Sequence, residues 1–468
     1  MDAHVIAAAE FEEADEAAWR RLVDRTLKGA DFETTLTTQA DDGFRYGPIY
    51  EHSLQTFVLG RAEGERPWRI VQRIDDPDVA RAIAQAREDI DNGADCLSLV
   101  MDGSHSAFGF GLGLPAAPAF HALFDKIDPS GLEIRLEGSL MTARALADCL
   151  GRRPIGAVHF GIDPVSSTAF AGRDFAISER IADMVGALVD CGLPGSLLRA
   201  DGRVAHNAGA SEAQELAFVL ASLTALARAF ETGGMQPEQT LLSTSLAVCV
   251  DQQQFISIAK LRALRLLHAR LCELCGIASP SPATIHAETS FRMLARRDPE
   301  TNILRNTIAA FSAGVGGADS IAVLAHTASL GLPDGFARRV ARNTQIILLR
   351  ESHLDVVADP SAGSGGLEAL TDALAGAAWT EFQAIEKEGG ILQSLSAGHF
   401  QRRVADMRER REKSIREGLR PIVGTTLYPS EDRPVTVLET RPEKGRPRGS
   451  GRGLEAIPLD LGLDGGAA

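Results

Sequence analysis

A (β/α)₈ barrel of the TIM type, in the α/β class, is the fold that residues 65–365 of this 468-residue chain predict. Eight short apolar runs recur along that stretch, with the length and content of buried parallel strands. Longer segments with helical apolar periodicity separate most of them. From the first run to the last is about 250 residues, the size of one such barrel. Periodicity says nothing of ring closure, so a doubly wound open sheet is the alternative.

Taken in order, the strand candidates are Arg69–Ile74, Cys96–Met101, Leu132–Glu137, Ala157–Gly161, Ser196–Ala200, Leu242–Val248, Thr284–Glu288 and Ser320–Ala325. Helix-like stretches between them include Asp78–Asp91, which follows Pro77 and so has a good start, then Met141–Leu150, Ser178–Cys191, Glu212–Phe230 and Gln254–Leu274. Residues 1–64 read as an N-terminal helical extension. Within it 10–30 form an amphipathic helix with Trp19, Leu22, Val23 and Leu27 on one face, a candidate partner-wrapping arm. Residues 366–428 predict C-terminal helices, and the charge-laced Arg402–Arg420 segment reads as a solvated face. The 429–468 tail, with RPEKGRPRGSGRG, lacks the patterning of a packed domain and is expected to be extended or disordered.

A net charge of −15 argues against nucleic acid or an anionic membrane as partner. Six cysteines are too few and too scattered for a disulfide scaffold, and the single C-x-x-C pair, Cys272 and Cys275, has no second pair with which to hold zinc. The opening MDAHVIAAAEFEEADEAAW has no basic segment ahead of its apolar run, so it is not a signal peptide. No apolar stretch of about 20 residues is evident, so no membrane span is expected. A cytoplasmic location follows as the expectation.

Residues 286–360 carry the densest motifs: HAETS at His286–Ser290, then Asp298, Pro299, Asn302 and Arg305, the Gly316–Gly317 pair, Leu332, Pro333 and Phe336, ARNTQ at Ala341–Gln345, and Asp359, Pro360, Gly363 and Ser364. Flanking them in order are LKGADF (Leu27–Phe32), RPW (Arg66–Trp68), AGA (Ala208–Ala210), AKLRA (Ala259–Ala263) and IVG (Ile422–Gly424). Over residues 20–425 the chain thereby resembles the methylmalonyl-CoA mutase family of adenosylcobalamin-dependent isomerases. That resemblance implies a (β/α)₈ barrel threaded by the pantetheine tail of coenzyme A. It also implies a radical carbon-skeleton rearrangement whose radical comes from the cofactor.

Several of the family's working parts are missing. Its cobalamin domain grips cobalt through D-x-H-x-x-G, whereas here only Asp2–His4 gives D-x-H, followed by Val5, Ile6 and Ala7 with no glycine. The cobalamin domain is therefore expected to be absent from this chain, which is assigned no cofactor and no metal. Aligned on Pro67–Trp68, Arg73 stands where catalytic members have a substrate tyrosine. Aligned on Ala208–Ala210, Arg203 replaces a tyrosine and Val204 the neighbouring histidine. His206 lies two positions further on. In an extended segment it would share that face about 7 Å away, too far to substitute. The three tyrosines, Tyr46, Tyr50 and Tyr428, all lie outside the strand candidates. Around His159 the family's polar stretch is lost, and Ala322 and Leu324 replace a polar pair, so branched apolar side chains are expected to pack the channel shut.

His206 and Asn207, with Glu288, Thr289 and Ser290 in place of the family's Q-T-S, are the candidate vestigial ligand-facing residues; structural roles are favoured for all. Arg338, Arg339 and Arg342 read as a solvated helix face paired with acids rather than a phosphate site. The Ala362–Gly366 and Gly314–Gly317 runs read as turns and close packing. The resemblance then implies a small (beta), non-catalytic subunit. Its partner is a homologous large (alpha) subunit that holds substrate and adenosylcobalamin and interconverts methylmalonyl-CoA and succinyl-CoA. The alternatives are the catalytic subunit of a split mutase, with its cobalamin domain on another chain, and a barrel repurposed as an assembly partner.

Overall fold

The computed structural model describes residues 15–53, 58–62, 66–113, 116–151, 153–173, 185–277, 280–430, 435–441 and 453–460. Eight parallel strands form one sheet: β1 Arg69–Ile74, β2 Cys96–Val100, β3 Glu133–Glu137, β4 Ala157–His159, β5 Leu198–Asp201, β6 Thr244–Val250, β7 Ile285–Thr289 and β8 Ser320–Ala322. Each falls on its sequence candidate. β1 pairs with β8, Ile70 opposite Ile321, which excludes the open sheet. Between β4 and β5 the ring closes through the amides of Val158 and Phe160, which donate to the carbonyls of Pro194 at 2.7 Å and Ser196 at 2.9 Å.

Strand alternation sorts the side chains. Ile74, Leu97, Leu99, Ile134, Leu136, Val158, Leu198, Leu246, Val248, Ile285 and Ile321 face outward and pack under the helices as the apolar core. The helices start where capping chemistry allows. Asp78 accepts from the amides of Ala80 and Arg81 to open Val79–Asp91, while Ser139 and Ser211 form capping boxes for Leu140–Leu150 and Glu212–Thr232. The Ser178–Cys191 candidate lies largely outside the described residues. Two glycine runs do serve close packing: a Cβ on Gly314 would meet the Trp68 ring at 2.9 Å, and one on Gly365 would overlap the Glu51 carbonyl.

Three expectations are corrected here. Glu212–Thr232 is, among the described residues, a helix long and apolar enough to cross a membrane. It is instead core, packed against Gly365–Lys387, with 72% of its apolar window buried. The Arg402–Arg420 segment is not simply solvated, because Arg411 is buried and reaches Asp41 at 2.9 Å and the Gly209 carbonyl at 2.9 Å. Arg338 and Arg342 are likewise buried, against Asp75 at 2.7 Å and Asp89 at 2.5 Å, so the expected acid pairing exists but the expected solvation does not.

At the N-terminal side, Glu16–Leu27 buries none of its residues; Trp19 touches Phe32 edge-on, and Leu22 is 57% exposed. Beyond Tyr428, Val437–Thr440 pairs antiparallel with Gly331–Pro333. Residues 453–460 cross the C-terminal mouth of the barrel. There the amides of Leu454, Ile457 and Leu459 donate to the carbonyls of Ala169, Asn207 and Arg292 at 2.8, 3.0 and 2.9 Å.

Candidate functional site

Barrel active sites form at the C-terminal ends of the strands. At that end the inward positions of β1, β3, β5 and β7 and the short helix Arg203–Ala208 bring Arg73, Glu137, Asp201, Glu288 and Arg203 together. Arg73 Nη1 donates to Glu288 Oε2 at 2.9 Å, and Arg203 Nη1 lies 3.3 Å from the same oxygen. Arg203 also donates through Nη2 to Glu137 at 2.8 Å, and through Nε and Nη2 to both oxygens of Asp201 at 2.9 and 2.6 Å. Arg199 adds contacts to Glu137 at 2.8 Å and Asp201 at 3.1 Å. Burial alone pushes the Glu137 and Asp201 carboxyls up, but the arginines outweigh it and hold both below the usual carboxylate range. Asp201, Glu137 and Glu288 in turn overcome the burial of Arg203 and hold it well above its ordinary value.

The channel is thus filled, though not by branched apolar residues as expected. Val71, Cys96 and Ala322 form a small apolar layer in the lumen, beneath interlocked charges. Leu324 lies beyond the end of β8, and its amide donates to Thr289 Oγ1 at 2.9 Å.

Residues 203–208 are helical, which overturns the extended reading. Positions two apart on a helix point to nearly opposite sides. Val204 accordingly enters the apolar core, while His206 turns to Ser290 Oγ at 2.9 Å through Nε2 and to Glu215 Oε2 at 3.0 Å through Nδ1. Asn207 Oδ1 accepts from the Arg292 amide at 3.3 Å. Ser290, His206 and Glu215 have the connectivity of a nucleophile relay. All three are fully buried, however, and Glu215 is fixed by Lys260 Nζ and the Cys249 amide, both at 2.7 Å. No acyl group can reach that serine. Two His and carboxylate groups of metal-like spacing occur among the described residues, His105 with Glu137 and Asp201, and His206 with Glu212 and Glu215. The first already surrounds Arg199 and Arg203, and the second the Lys260 ammonium.

Above the charges, Phe108 stacks on Phe291 with ring centroids 4.3 Å apart, and the Arg441 guanidinium lies over Phe291 at 4.5 Å. Residues 453–460 extend this cover. Two cavities remain at this end, one of about 30 Å³ beside Arg73 and Phe108 and one of about 370 Å³ at the ends of β2 to β4, lined by His105, Glu137 and Arg199 among others.

Sequence reasoning found Arg73, Arg203 and Glu288 but missed Glu137, Arg199, Asp201 and His105. A signal existed: Glu133, Arg135 and Glu137 alternate along β3, as do Arg199 and Asp201 along β5, and period-two charge in a barrel strand means a charged lumen.

Fold and mouth together define an enzyme-type barrel whose central lumen, at the active end, is filled by its own paired side chains. The chain belongs to the methylmalonyl-CoA mutase family, a family of isomerases, whose model, described as methylmalonyl-CoA mutase, matches residues 197–450. It is 35% identical over 488 residues to the methylmalonyl-CoA mutase small subunit of Streptomyces virginiae, covering 97% of this chain and 76% of that one. The small subunit of Propionibacterium freudenreichii subsp. shermanii is 36% identical over 297 residues, 63% of this chain and 46% of its own. A probable small subunit of Mycobacterium tuberculosis (strain ATCC 25618 / H37Rv) is 39% identical over 294 residues, 61% and 46% respectively. These last two matches span less than half of those relatives' length.

Adenosylcobalamin, the family's cofactor, would need an open face above the strand ends. The Phe108–Phe291 stack and residues 453–460 hold that face, so the described residues do not fit it.

Proposed function

We propose that this chain is the non-catalytic small subunit of a methylmalonyl-CoA mutase. Its partner is a homologous large subunit that carries the acyl-CoA site and adenosylcobalamin and interconverts methylmalonyl-CoA and succinyl-CoA. The observation that supports this reading most is the Arg73–Glu288–Arg203–Glu137 network. Charged groups bonded to one another occupy the space an acyl thioester would need, and no side chain there is free for chemistry. Residues 1–64 act as the arm toward the partner, in keeping with a Glu16–Leu27 helix of which its own chain buries no residue and leaves Leu22 57% exposed.

The test is adenosylcobalamin-dependent turnover of methylmalonyl-CoA by the purified chain, alone and mixed with a candidate large subunit. Activity confined to the mixture, with cobalamin bound by the partner, is expected. Turnover by this chain with an isolated cobalamin domain would overturn the proposal and make it the catalytic half of a split enzyme.

A further inference from the structure

Cys272 and Cys275 lie one turn apart at the C-terminal end of the helix Gln254–Leu274, and the subunit role proposed above makes no use of them. Both are free thiols in the structure. On a regular α-helix, residues three apart hold their Cβ atoms about 5–6 Å from each other. A disulfide spans only ~3.5–4.5 Å between Cβ atoms. A regular turn would therefore keep the two thiols separate.

This turn is tighter. The Cys275 amide donates to two carbonyls, those of Leu271 at 3.1 Å and Cys272 at 3.0 Å. The Gly276 amide donates to Glu273 at 2.9 Å and the Ile277 amide to Cys272 at 3.0 Å, with Gly276 at a φ of +83°. These bonds make a Schellman close, in which three-residue hydrogen bonds shorten the last turn. Where a turn takes that 3₁₀ form, residues i and i+3 eclipse, so the close brings Cys275 toward Cys272.

The two thiols differ in access. Cys272 is fully buried, its Sγ 3.8 Å from His268 Nε2 and 3.9 Å from Nδ1, whereas Cys275 is exposed. An exposed sulfur beside a buried one has the layout of an attacking and a resolving cysteine. Burial raises both thiols, Cys272 to about 11, and the Glu231 carboxylate adds to the rise at Cys275. The reduced pair thus gains nothing from a stabilised thiolate, which favours the bridged form at equilibrium.

We propose that Cys272 and Cys275 are a dithiol that a low-molecular-weight disulfide closes into an intrahelical bridge. Cys275 gives its proton to solvent, and its sulfur attacks one sulfur of the incoming disulfide. That S–S bond breaks and one thiolate leaves. Cys272 then loses its proton and attacks Cys275 Sγ, and the second thiolate leaves. Each departing thiolate takes up one proton. Two electrons pass from the protein to the small disulfide, which ends as two thiols. Closure draws Cys272 Sγ off His268 and pins the last turn of a helix that packs against Thr301–Val315 and Gly365–Lys387.

The test incubates the folded full-length chain with glutathione disulfide, blocks remaining thiols with iodoacetamide and digests with trypsin. The peptide 271–292 holds both sulfurs. It is expected to lose two hydrogens and to resist alkylation until dithiothreitol is added. Cys191, exposed and with no cysteine three positions away, is the internal control and is expected to stop at the glutathione adduct. Cys272→Ala is expected to leave Cys275 as a lasting glutathione adduct, and Cys275→Ser to leave Cys272 a free thiol. An unaltered chain whose Cys275 keeps glutathione, or stays reduced while Cys191 is modified, would overturn the proposal.

Discussion

Arg73 and Glu288 stand 215 residues apart in the chain and meet at 2.9 Å in the barrel lumen. The family resemblance places an uncharged tyrosine and glutamine at these two positions, so both members of the pair are departures that make sense only together. Glu288→Gln alone leaves Arg73 and Arg203 short of an anion, and a cost of about 3–5 kcal/mol is expected for breaking a buried pair. Arg73→Tyr combined with Glu288→Gln is expected to cost less than the two single changes summed, by at least ~1 kcal/mol. Urea unfolding of the four proteins gives the coupling, and strict additivity would show that the pair is not a unit.

Ser290 supplies a second test. Because His206, Ser290 and Glu215 are buried, Ser290 in the native chain is expected to resist phosphonylation by a fluorophosphonate. Ser290→Ala should lower stability by about 1–3 kcal/mol, through the hydrogen-bonding capacity left unmet on His206. Mass spectrometry finding the probe on Ser290 would contradict this.

Much of the fold could be read in advance because the strands bury their outer faces under helices, and that demand writes period-two apolar residues such as Leu97 and Leu99 or Ile134 and Leu136 into the sequence. The lumen was less legible. Glu137 bonds to Arg199 across 62 residues of chain, a relationship fixed by ring closure and not by any local pattern. The helix Arg203–Ala208 has six residues, too short for a periodicity to declare itself, so the sequence alone is equally compatible with an extended face for His206.

Asp42 gives a pH signature. Its Oδ1 accepts from the Ala213 amide at 3.2 Å, yet burial dominates and raises its carboxyl to about 6, opposed by the Ser211 hydroxyl. The unfolded value is about 3.9, so the native state holds this proton more tightly. Below pH ~4 the group carries no penalty. As pH rises from there through 6 the fold loses stability, and the loss is complete above 6. Asp42→Asn keeps the acceptor and removes the charge. It is expected to gain about 1–2 kcal/mol at pH 8, allowing for partial exposure, and nothing near pH 4. Equal gains at both pH values would rule out titration as the cause.

The arm is tested at Leu22. Being 57% exposed, it contributes little to its own chain, so Leu22→Glu is expected to shift unfolding by less than about 0.5 kcal/mol. Its affinity for the large subunit, measured by titration calorimetry, is expected to fall by roughly tenfold or more, as for the loss of a buried apolar contact. Unchanged affinity would remove Glu16–Leu27 from the interface.

The cover over the C-terminal mouth also sets an order of events in time. β8 leaves the ribosome at Ala322, but the residues that bond to Asn207 and Arg292 come only after Gly453. At ~5–20 residues per second the delay is on the order of ten seconds. For that interval the nascent barrel can close its ring while its charged throat is still wet. Arginines and carboxylates can then find their partners in water, where a wrong pairing is weak and reversible, before the last segment settles and makes the arrangement permanent.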